Sequence, residues 1–235
     1  MMKNLLLLLF IFLVQLACTH QNSSKEEWPS IPYPDTAPAR TNSVGISEDY
    51  LHTNRGIWQK PDVVVDLLGD LENKVVADIG AGTGFFTYKI LPRAEKVIAI
   101  DIDPDFINYL DSLKAINLPE SQYWRLETRL AEPEMPAPIN YQEVDVILVV
   151  NTYIYLEDRI KYLESLRENL KPGGKLVIID FKKKRTPVGP PQDIRMPLYV
   201  VEEELYQAGF EYVHTNDTYL DFQYILTAEK QLSVN

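Results

Sequence analysis

The amino-acid sequence predicts a doubly wound α/β fold, with a seven-stranded sheet that is mostly parallel and has an antiparallel strand near the C-terminus. From about residue 47, short apolar runs rich in Val and Ile alternate with helix-like blocks, which is the order expected of a parallel sheet with helices on its faces. The run 144–150 is apolar apart from one acid, as in a strand buried on both faces. Two strand-like segments, 210–214 and 222–227, close the predicted sheet.

Each element is predicted from its local pattern. Pro61 favours a helix start, since its missing N–H costs nothing in the first turn, and apolar residues on one face extend that helix to Leu68. The remaining strands are predicted at 75–79, 96–101, 123–127, 144–150 and 175–180. Further helices are predicted at 85–91, 105–116, 157–170 and 202–208. Gly209 follows the last helix, a position that glycine often occupies.

The turn after the first strand carries the clearest functional signal. Asp78, near the end of that strand, is followed by Gly80, Ala81, Gly82 and Gly84, with glycine at alternate positions. A strand that turns sharply into a helix, with its backbone pressed against a ligand, needs residues without a Cβ at the points of approach. The pattern therefore predicts a nucleotide-type site at the carboxyl end of the first strand.

The spacing of the glycines and a second acid narrow the kind of ligand. A pyrophosphate-binding turn reads G-x-G-x-x-G, but Phe85 and Thr87 occupy the two positions where its third glycine would fall. The second predicted strand ends in Asp101, 21 residues after Gly80, close to the offset of about 20 residues expected for a carboxylate that binds ribose hydroxyls. The pyrophosphate interpretation therefore fails, whereas the ribose contact is supported.

The pattern acid-x-G-x-G-x-G resembles motif I of the class I S-adenosylmethionine-dependent methyltransferases, which have a Rossmann-like fold. The resemblance implies S-adenosyl-L-methionine as the cofactor, with Asp78 and the glycine loop beside its methionine part, Asp101 on its ribose and Ile102 also in contact. Members of the family often carry an aspartate after the third strand that binds the adenine amine, whereas this chain has Thr128 there. The resemblance leaves Thr128 or backbone groups to contact the adenine.

The resemblance extends beyond motif I. The segment 170–176, Leu-Lys-Pro-Gly-Gly-Lys-Leu, matches a phrase that class I methyltransferases carry near the fifth strand. Together with the glycine loop and Asp101 in the right order, it makes chance agreement improbable. Several further segments are similar to a bacterial methyltransferase subgroup of the type 11 or 25 kind, namely 55–61, 151–159, 189–191 and 208–210.

The loop after the fourth strand is the predicted acceptor side of the site. Asn151 and Tyr153 are the candidate catalytic residues, because they follow that strand at the edge where the methyl group should point. The loop is not Asn-Pro-Pro-Tyr, so the amino-group methylation that this motif serves is not supported. Tyr153 and Tyr155 either form aromatic walls around the sulfonium, which a π face attracts, or pack as ordinary loop residues. Relatives often carry histidines at the positions of Ile154 and Tyr155; if those histidines help a proton leave the acceptor, this chain does so otherwise or not at all.

A segment before the glycine loop is a candidate lid. In class I enzymes the corresponding segment folds over the cofactor, and here it contains Arg55, Trp58 and Gln59. These residues either line such a lid, or Trp58 serves as the aromatic anchor of a capping helix.

Composition limits the identity of the acceptor. A net charge of −11 repels a phosphate backbone, so we expect no nucleic-acid partner and a small-molecule or lipid-like acceptor instead. The chain has three histidines and no metal-ligand spacing, and methyl transfer requires no metal, so no metal site is predicted.

Two alternatives stay open: an exported, non-catalytic cofactor-binding module with the same fold, and an NAD-dependent oxidoreductase, which the glycine spacing disfavours. The oligomeric state is not predicted.

The N-terminal region predicts export. Residues 5–14 form an apolar run that is too short for a bilayer span of about 20 residues but has the length of a signal-peptide core, so 1–17 is predicted to be a signal peptide. Cys18 is the single cysteine of the sequence and its context resembles the lipobox of bacterial lipoproteins, although Gln15 stands where leucine is usual. Ordinary cleavage and an uncleaved anchor are the alternatives to acylation of Cys18.

The remaining chain divides into two predicted parts. Residues 18–45 are polar and contain several prolines, as expected of an extended tether. Residues 46–235 form the predicted methyltransferase domain. The expected location is the cell envelope, with the domain held by a lipid anchor in the membrane and facing the periplasm.

Overall fold

The computed structural model describes residues 55–132 and 137–232. The predicted signal peptide, the tether, Cys18 and residues 46–54 of the predicted domain lie outside the described residues. In the described part of the chain, no helix has both the length and the apolarity needed to cross a membrane.

Within the described ranges, seven strands form one sheet in the order β3-β2-β1-β4-β5-β7-β6. The strands are β1 Val75–Ile79, β2 Lys96–Asp101, β3 Leu126–Leu130, β4 Val144–Val150, β5 Leu170–Phe181, β6 Glu211–Asn216 and β7 Gln223–Glu229. The strands β1 to β5 pair in parallel, and β7 is antiparallel to both β5 and β6. The predicted mixed sheet is therefore confirmed, including its antiparallel C-terminal strand.

Helices alternate with the strands along the chain. They are α1 Arg55–Trp58, α2 Pro61–Leu67, α3 Thr87–Ile90, α4 Pro104–Asn117, α5 Arg159–Asn169 and α6 Leu198–Gln207. Short 3-10 helices occur at Glu120–Arg125 and Tyr153–Tyr155. The start of α4 is set by Asp103, whose side chain accepts a hydrogen bond from the backbone N–H of Asp105, with Pro104 in the first turn.

Most boundaries differ from the sequence prediction by one or two residues, and the beginnings of β3, β5 and α6 differ by more. The strand β3 begins at Leu126 and not at residue 123, because 120–125 form a 3-10 helix without buried residues and Leu126 is the first residue of that region to reach the core. The strand β5 begins at Leu170, which pairs with Val144 before the register shifts. The helix α6 begins directly after Pro197, four residues earlier than predicted.

The order of the strands positions the site. The chain runs outward from β1 to β3 and then returns to place β4 on the other side of β1. The carboxyl ends of β1 and β4 therefore border the point where the strand order reverses, which is where open α/β sheets bind ligands. Both strands are buried almost throughout, so this edge is held rigidly by the core.

Candidate active site

A cavity of about 230 Å³ lies at the carboxyl edge where β1, β2 and β4 end. Its wall comes from α1, the glycine loop after β1, the end of β2, the residue after β3 and the loop after β4. Six of the predicted site residues line it: Gly80, Ala81, Gly82, Asp101, Ile102 and Asn151. The predicted cofactor side and the predicted acceptor side thus meet in one cavity.

Glycine occupies the three positions of the loop for different structural reasons. Gly80, with φ +72°, would place a Cβ 2.1 Å from Thr152 Oγ1, and Gly84, with φ +83°, would place one 2.6 Å from Leu110 Cδ2. Packing within the chain therefore requires glycine at both positions. Gly82 also has positive φ, +54°, but a Cβ there would meet no atom within 4 Å. The space in front of Gly82 is therefore free for a ligand to approach the backbone.

Asp101 is a buried carboxylate at the cavity wall. Its side chain is 3% exposed, Oδ2 accepts a hydrogen bond from Gly82 N at 2.7 Å, and Oδ1 accepts one from Asp103 N at 3.0 Å. These two bonds fix the carboxylate without using all of its lone pairs, since a carboxylate can accept about four hydrogen bonds. Asp101 can therefore bind the two hydroxyls of a ribose while it also holds the glycine loop.

Asp78 lies beneath the glycine loop. It is buried and does not line the cavity. The Thr87 hydroxyl donates to Asp78 Oδ2 at 2.6 Å, which ties the end of β1 to α3. Burial raises the pKa of the Asp78 carboxyl to about 6, while the Thr87 hydrogen bond and the charge of Arg55 act in the opposite direction. Asp78 and Gly84 therefore shape the loop from behind and do not reach a ligand themselves.

Tyr153, which the sequence predicts to be catalytic, does not line the cavity. Its ring is fully buried, and its hydroxyl donates to Glu204 Oε2 at 2.6 Å, while Arg159 pairs with the same carboxylate. The 3-10 turn Tyr153–Tyr155 directs the first tyrosine into the core and leaves Tyr155 at the cavity wall, about half exposed. Ordinary packing thus explains Tyr153, whereas Tyr155 is available as an aromatic wall.

Thr128, the predicted adenine contact, also lies away from the cavity wall. Its hydroxyl donates to Asp111 Oδ1 at 2.7 Å, and Thr128 does not line the cavity. The reason is the shifted third strand: β3 ends at Leu130, so the residue that reaches the cavity after it is Ala131. Ala131 therefore occupies the position at the cavity wall that the sequence assigns to Thr128.

Asn151 is held by contacts that the sequence does not reveal. It has φ +57°, a left-handed conformation that asparagine tolerates better than most residues. Its backbone N–H donates to Ile179 O at 2.8 Å, and its Oδ1 accepts from Gln223 Nε2. Gln223 Oε1 in turn accepts from Gln59 Nε2 at 3.0 Å. Sequence analysis missed Gln223, since nothing in its local pattern places it beside a residue 72 positions away.

The candidate lid divides into a polar and an apolar side. Trp58 is buried and packs on Phe181, with 5.5 Å between the ring centroids, so it is the aromatic anchor of α1. Arg55 lines the cavity, and its guanidinium lies 4.4 Å from the centroid of the Phe85 ring. Only part of this segment therefore faces the predicted ligand.

Comparison with protein families finds a match for the segment that carries most of the cavity wall. Residues 77–176, which run from β1 into β5, match a family model described as a methyltransferase domain. This segment is therefore similar to methyltransferase domains. The match includes Asp78, the glycine loop, Asp101 and Asn151, so it supports the prediction of a methyltransferase domain over this segment.

Two curated proteins that are methyltransferases by name are similar to about half of this chain. The tRNA U34 carboxymethyltransferase of Pseudomonas putida is 27% identical over 126 residues, which are 53% of this chain and 37% of that protein. The ubiquinone/menaquinone biosynthesis C-methyltransferase UbiE of Vibrio vulnificus is 28% identical over 131 residues, 54% of this chain and 48% of that protein. The chain thus spans less than half the length of these curated relatives.

Solved structures agree with the fold. A SAM dependent methyltransferase from Aquifex aeolicus is 26% identical, with a TM-score of 0.68 over 76% of this chain and 94% of the other. Phosphoethanolamine N-methyltransferase 2 of Haemonchus contortus, solved with S-adenosyl-L-methionine, has a TM-score of 0.61 over 74% of this chain and 53% of the other. Because its sequence identity is 12%, this second likeness concerns the fold alone.

Proposed function

We propose that this protein transfers a methyl group from S-adenosyl-L-methionine to a small-molecule or lipid-like acceptor. The observation that carries the proposal is Asp101, a buried carboxylate bound to Gly82 N at the wall of the cavity. It lies inside the segment that matches a methyltransferase domain. Its free lone pairs and the open space in front of Gly82 fit the ribose and the methionine part of the cofactor.

The residues of the cavity have separate tasks in this reaction. When bound, S-adenosylmethionine supplies a methyl group whose bond to sulfur breaks, leaving the electron pair on sulfur, as the bond to the acceptor forms. Asp101 binds the ribose hydroxyls, and the backbone of Gly82 lets the ligand approach closely. Tyr155 offers a π face near a cationic centre. Asn151 stands at the acceptor end, so the protein acts mainly by orienting the two reactants and excluding water.

The size and charge of the molecule favour a small or lipid-like acceptor. The net charge of −11 opposes binding of a nucleic-acid backbone, and apolar side chains such as Ile102 and Leu156 form part of the cavity wall. Among the relatives by name, one acts on tRNA and another in quinone biosynthesis. The second kind of acceptor fits this charge and this wall better.

A titration followed by an acceptor screen tests the proposal. S-adenosylhomocysteine and S-adenosylmethionine should bind in isothermal titration calorimetry, whereas NAD should not. Turnover should then appear with an acceptor among extracted lipids, quinones and small metabolites. Binding of S-adenosylhomocysteine without turnover on any fraction would favour the non-catalytic cofactor-binding module, and binding of NAD alone would favour the oxidoreductase.

We also propose that the domain is exported and anchored through an acylated Cys18, facing the periplasm. The support is the sequence of 1–17, its lone cysteine and the polar tether that follows. Cys18→Ser should move the protein from the membrane to the soluble periplasmic fraction, as followed by cell fractionation. A wild-type protein that takes up no label from a palmitate analogue would contradict the anchor.

A further inference from the structure

Four polar side chains form a continuous chain of hydrogen bonds that leads into the cavity wall. Arg55 Nε donates to Gln59 Oε1 at 2.5 Å, Gln59 Nε2 donates to Gln223 Oε1 at 3.0 Å, and Gln223 Nε2 donates to Asn151 Oδ1. Both glutamines are fully buried, whereas Arg55 and Asn151 line the cavity. The chain joins α1, β7 and the end of β4, which are distant in sequence.

The direction of this chain is fixed at its start. A guanidinium has donors only, so Gln59 must turn its carbonyl oxygen toward Arg55 and its NH₂ group toward Gln223. Gln223 is constrained in the same way, because its Oε1 accepts from Gln59 and its Nε2 must therefore donate to Asn151. Asn151 therefore accepts the hydrogen bond from Gln223 with its Oδ1. Its Nδ2 takes no part in this chain of hydrogen bonds.

The remaining Nδ2 of Asn151 has no partner among the described residues and is buried. A buried donor without an acceptor is unfavourable, because it loses its hydrogen bonds to water and gains none in return. Native structures seldom keep such a group unless it serves a purpose. A ligand atom that accepts a hydrogen bond would satisfy it; Asn151 lines the cavity, and because Nδ2 itself is buried, a small shift of the loop after β4 on ligand binding would bring the two atoms together.

We propose that Asn151 Nδ2 is a fixed donor to an oxyanion of the methyl acceptor, and that Gln59 and Gln223 are positioning residues that set its orientation. This inference rests on the proposed function. It restricts the acceptor to molecules with a phenolate, enolate or carboxylate oxygen at or beside the methylated atom. Such an acceptor loses its proton to solvent before the transfer, so the protein needs no base at the positions of Ile154 and Tyr155.

The charges around the cavity support an anionic oxygen at this end. The chain begins at a guanidinium, which polarises the amides that follow and strengthens the final N–H as a donor. Hydrogen bonds from such a donor to a charged oxygen are stronger than those to a neutral one. Asp101 lines the same cavity and is assigned to the ribose by the proposed function, so its negative charge disfavours an oxyanion beside it and favours one at Asn151.

One substitution, at a residue that does not line the cavity, can reverse the direction of this chain of hydrogen bonds. In Gln59→Glu, the new carboxylate would pair with Arg55 and could only accept, so Gln223 would have to turn its Nε2 toward it. Asn151 would then donate Nδ2 to Gln223 and present Oδ1 to the ligand, which repels an oxyanion. Gln207→Glu is the matched control, because it makes the same change of charge at an exposed position of α6.

The test uses 4-nitrophenol as a probe, since its phenolate is detected by absorbance. With S-adenosylhomocysteine present and also without it, wild-type protein and Gln207→Glu should bind the phenolate and lower the apparent pKa of the phenol. Gln59→Glu should bind it at least about tenfold more weakly and lose the pKa shift, while its affinity for S-adenosylhomocysteine stays within about twofold.

A second variant and a folding control keep the test decisive. Gln223→Met breaks the chain without reversing it, so it should weaken phenolate binding by less than Gln59→Glu does; circular dichroism melting reports whether each variant is folded. Equal phenolate binding by folded Gln59→Glu and wild type, or no phenolate binding by the wild type, would overturn the inference. Absence of S-adenosylhomocysteine binding by the wild type would instead overturn the proposed function.

Discussion

The two halves of the cavity are built in different ways. On the β1–β2 side, backbone N–H groups and one carboxylate meet over a short stretch of chain, with Gly82 and Asp101 19 residues apart. On the β4–β7 side, side-chain amides meet from distant parts of the sequence, and Gln59 lies 164 residues from Gln223. The cofactor half is therefore encoded locally, whereas the acceptor half exists only after the sheet has formed.

Two buried aspartates that do not line the cavity, one at the end of β1 and one at the end of β5, also differ in their partners. Asp78, on the cofactor side, has the Thr87 hydroxyl as a partner. Asp180, at the carboxyl end of β5, accepts from Phe181 N at 2.7 Å, but its Oδ2 has no partner among the described residues. Burial raises the pKa of Asp180 to about 7, compared with about 6 for Asp78. Asp180 is thus the less well compensated of the two carboxyls.

The largest effect should come from filling the space in front of the glycine loop. Gly82→Val should abolish S-adenosylhomocysteine binding, because its side chain would occupy the space that a ligand needs, while the fold persists at a cost of about 1–2 kcal/mol for positive φ. Gly84→Val should instead destabilise the fold, since its Cβ would lie 2.6 Å from Leu110 Cδ2. Calorimetry and thermal melting distinguish the two outcomes, and a folded Gly82→Val protein that binds normally would place the ligand elsewhere.

The next effect concerns Asp180 and pH. Its folded pKa of about 7 lies above the unfolded value of 3.8, so its contribution to stability is fully present below pH 3.8 and is lost as pH rises to about 7. A difference of about 3 pKa units corresponds to about 4 kcal/mol. Asp180→Asn should flatten the pH dependence of the free energy of unfolding in this window, measured with urea at several pH values. An unchanged slope would contradict the assignment.

A smaller effect is expected at the ribose. Asp101→Ala should weaken S-adenosylhomocysteine binding by about 1.5–3 kcal/mol, the range for loss of a hydrogen bond to a charged group. Thr128→Val serves as the control, because its hydroxyl bonds to Asp111 and does not reach the cavity. Calorimetry should show a loss in the first variant alone; equal affinity in both variants would remove Asp101 from the cofactor site.

The smallest change in cofactor affinity is expected on the acceptor side. Asn151→Ala should leave S-adenosylhomocysteine binding nearly unchanged but lower turnover by about 10- to 100-fold, because its contact is made with the acceptor. Tyr153→Phe removes only the hydroxyl bonded to Glu204 and should keep turnover while it lowers stability by about 1 kcal/mol. Steady-state kinetics with the acceptor found in the screen decides the matter, and an equal loss of cofactor binding would assign Asn151 to the cofactor side.

The division into two halves explains what the sequence could predict. The glycine loop and Asp101 follow from spacing along neighbouring strands, so their place at the cavity was predictable. The bounds of β3, and with them the position of Thr128 along the strand, were predicted three residues too early because a 3-10 helix occupies 120–125, and helical turns of this length leave little periodicity to detect. Gln223 could not be found, because its role depends on the pairing of β7 with β5.

The strand β7 comes after every other strand of the sheet in the chain, yet it lies between β5 and β6. During synthesis, β6 therefore has no neighbour in the sheet until residues 223–229 have followed it. Pairing that must wait for a late, distant segment slows folding, since the loop entropy is lost before the contacts form. The cofactor half can assemble early around β1 and β2, whereas the acceptor half is completed in the last step.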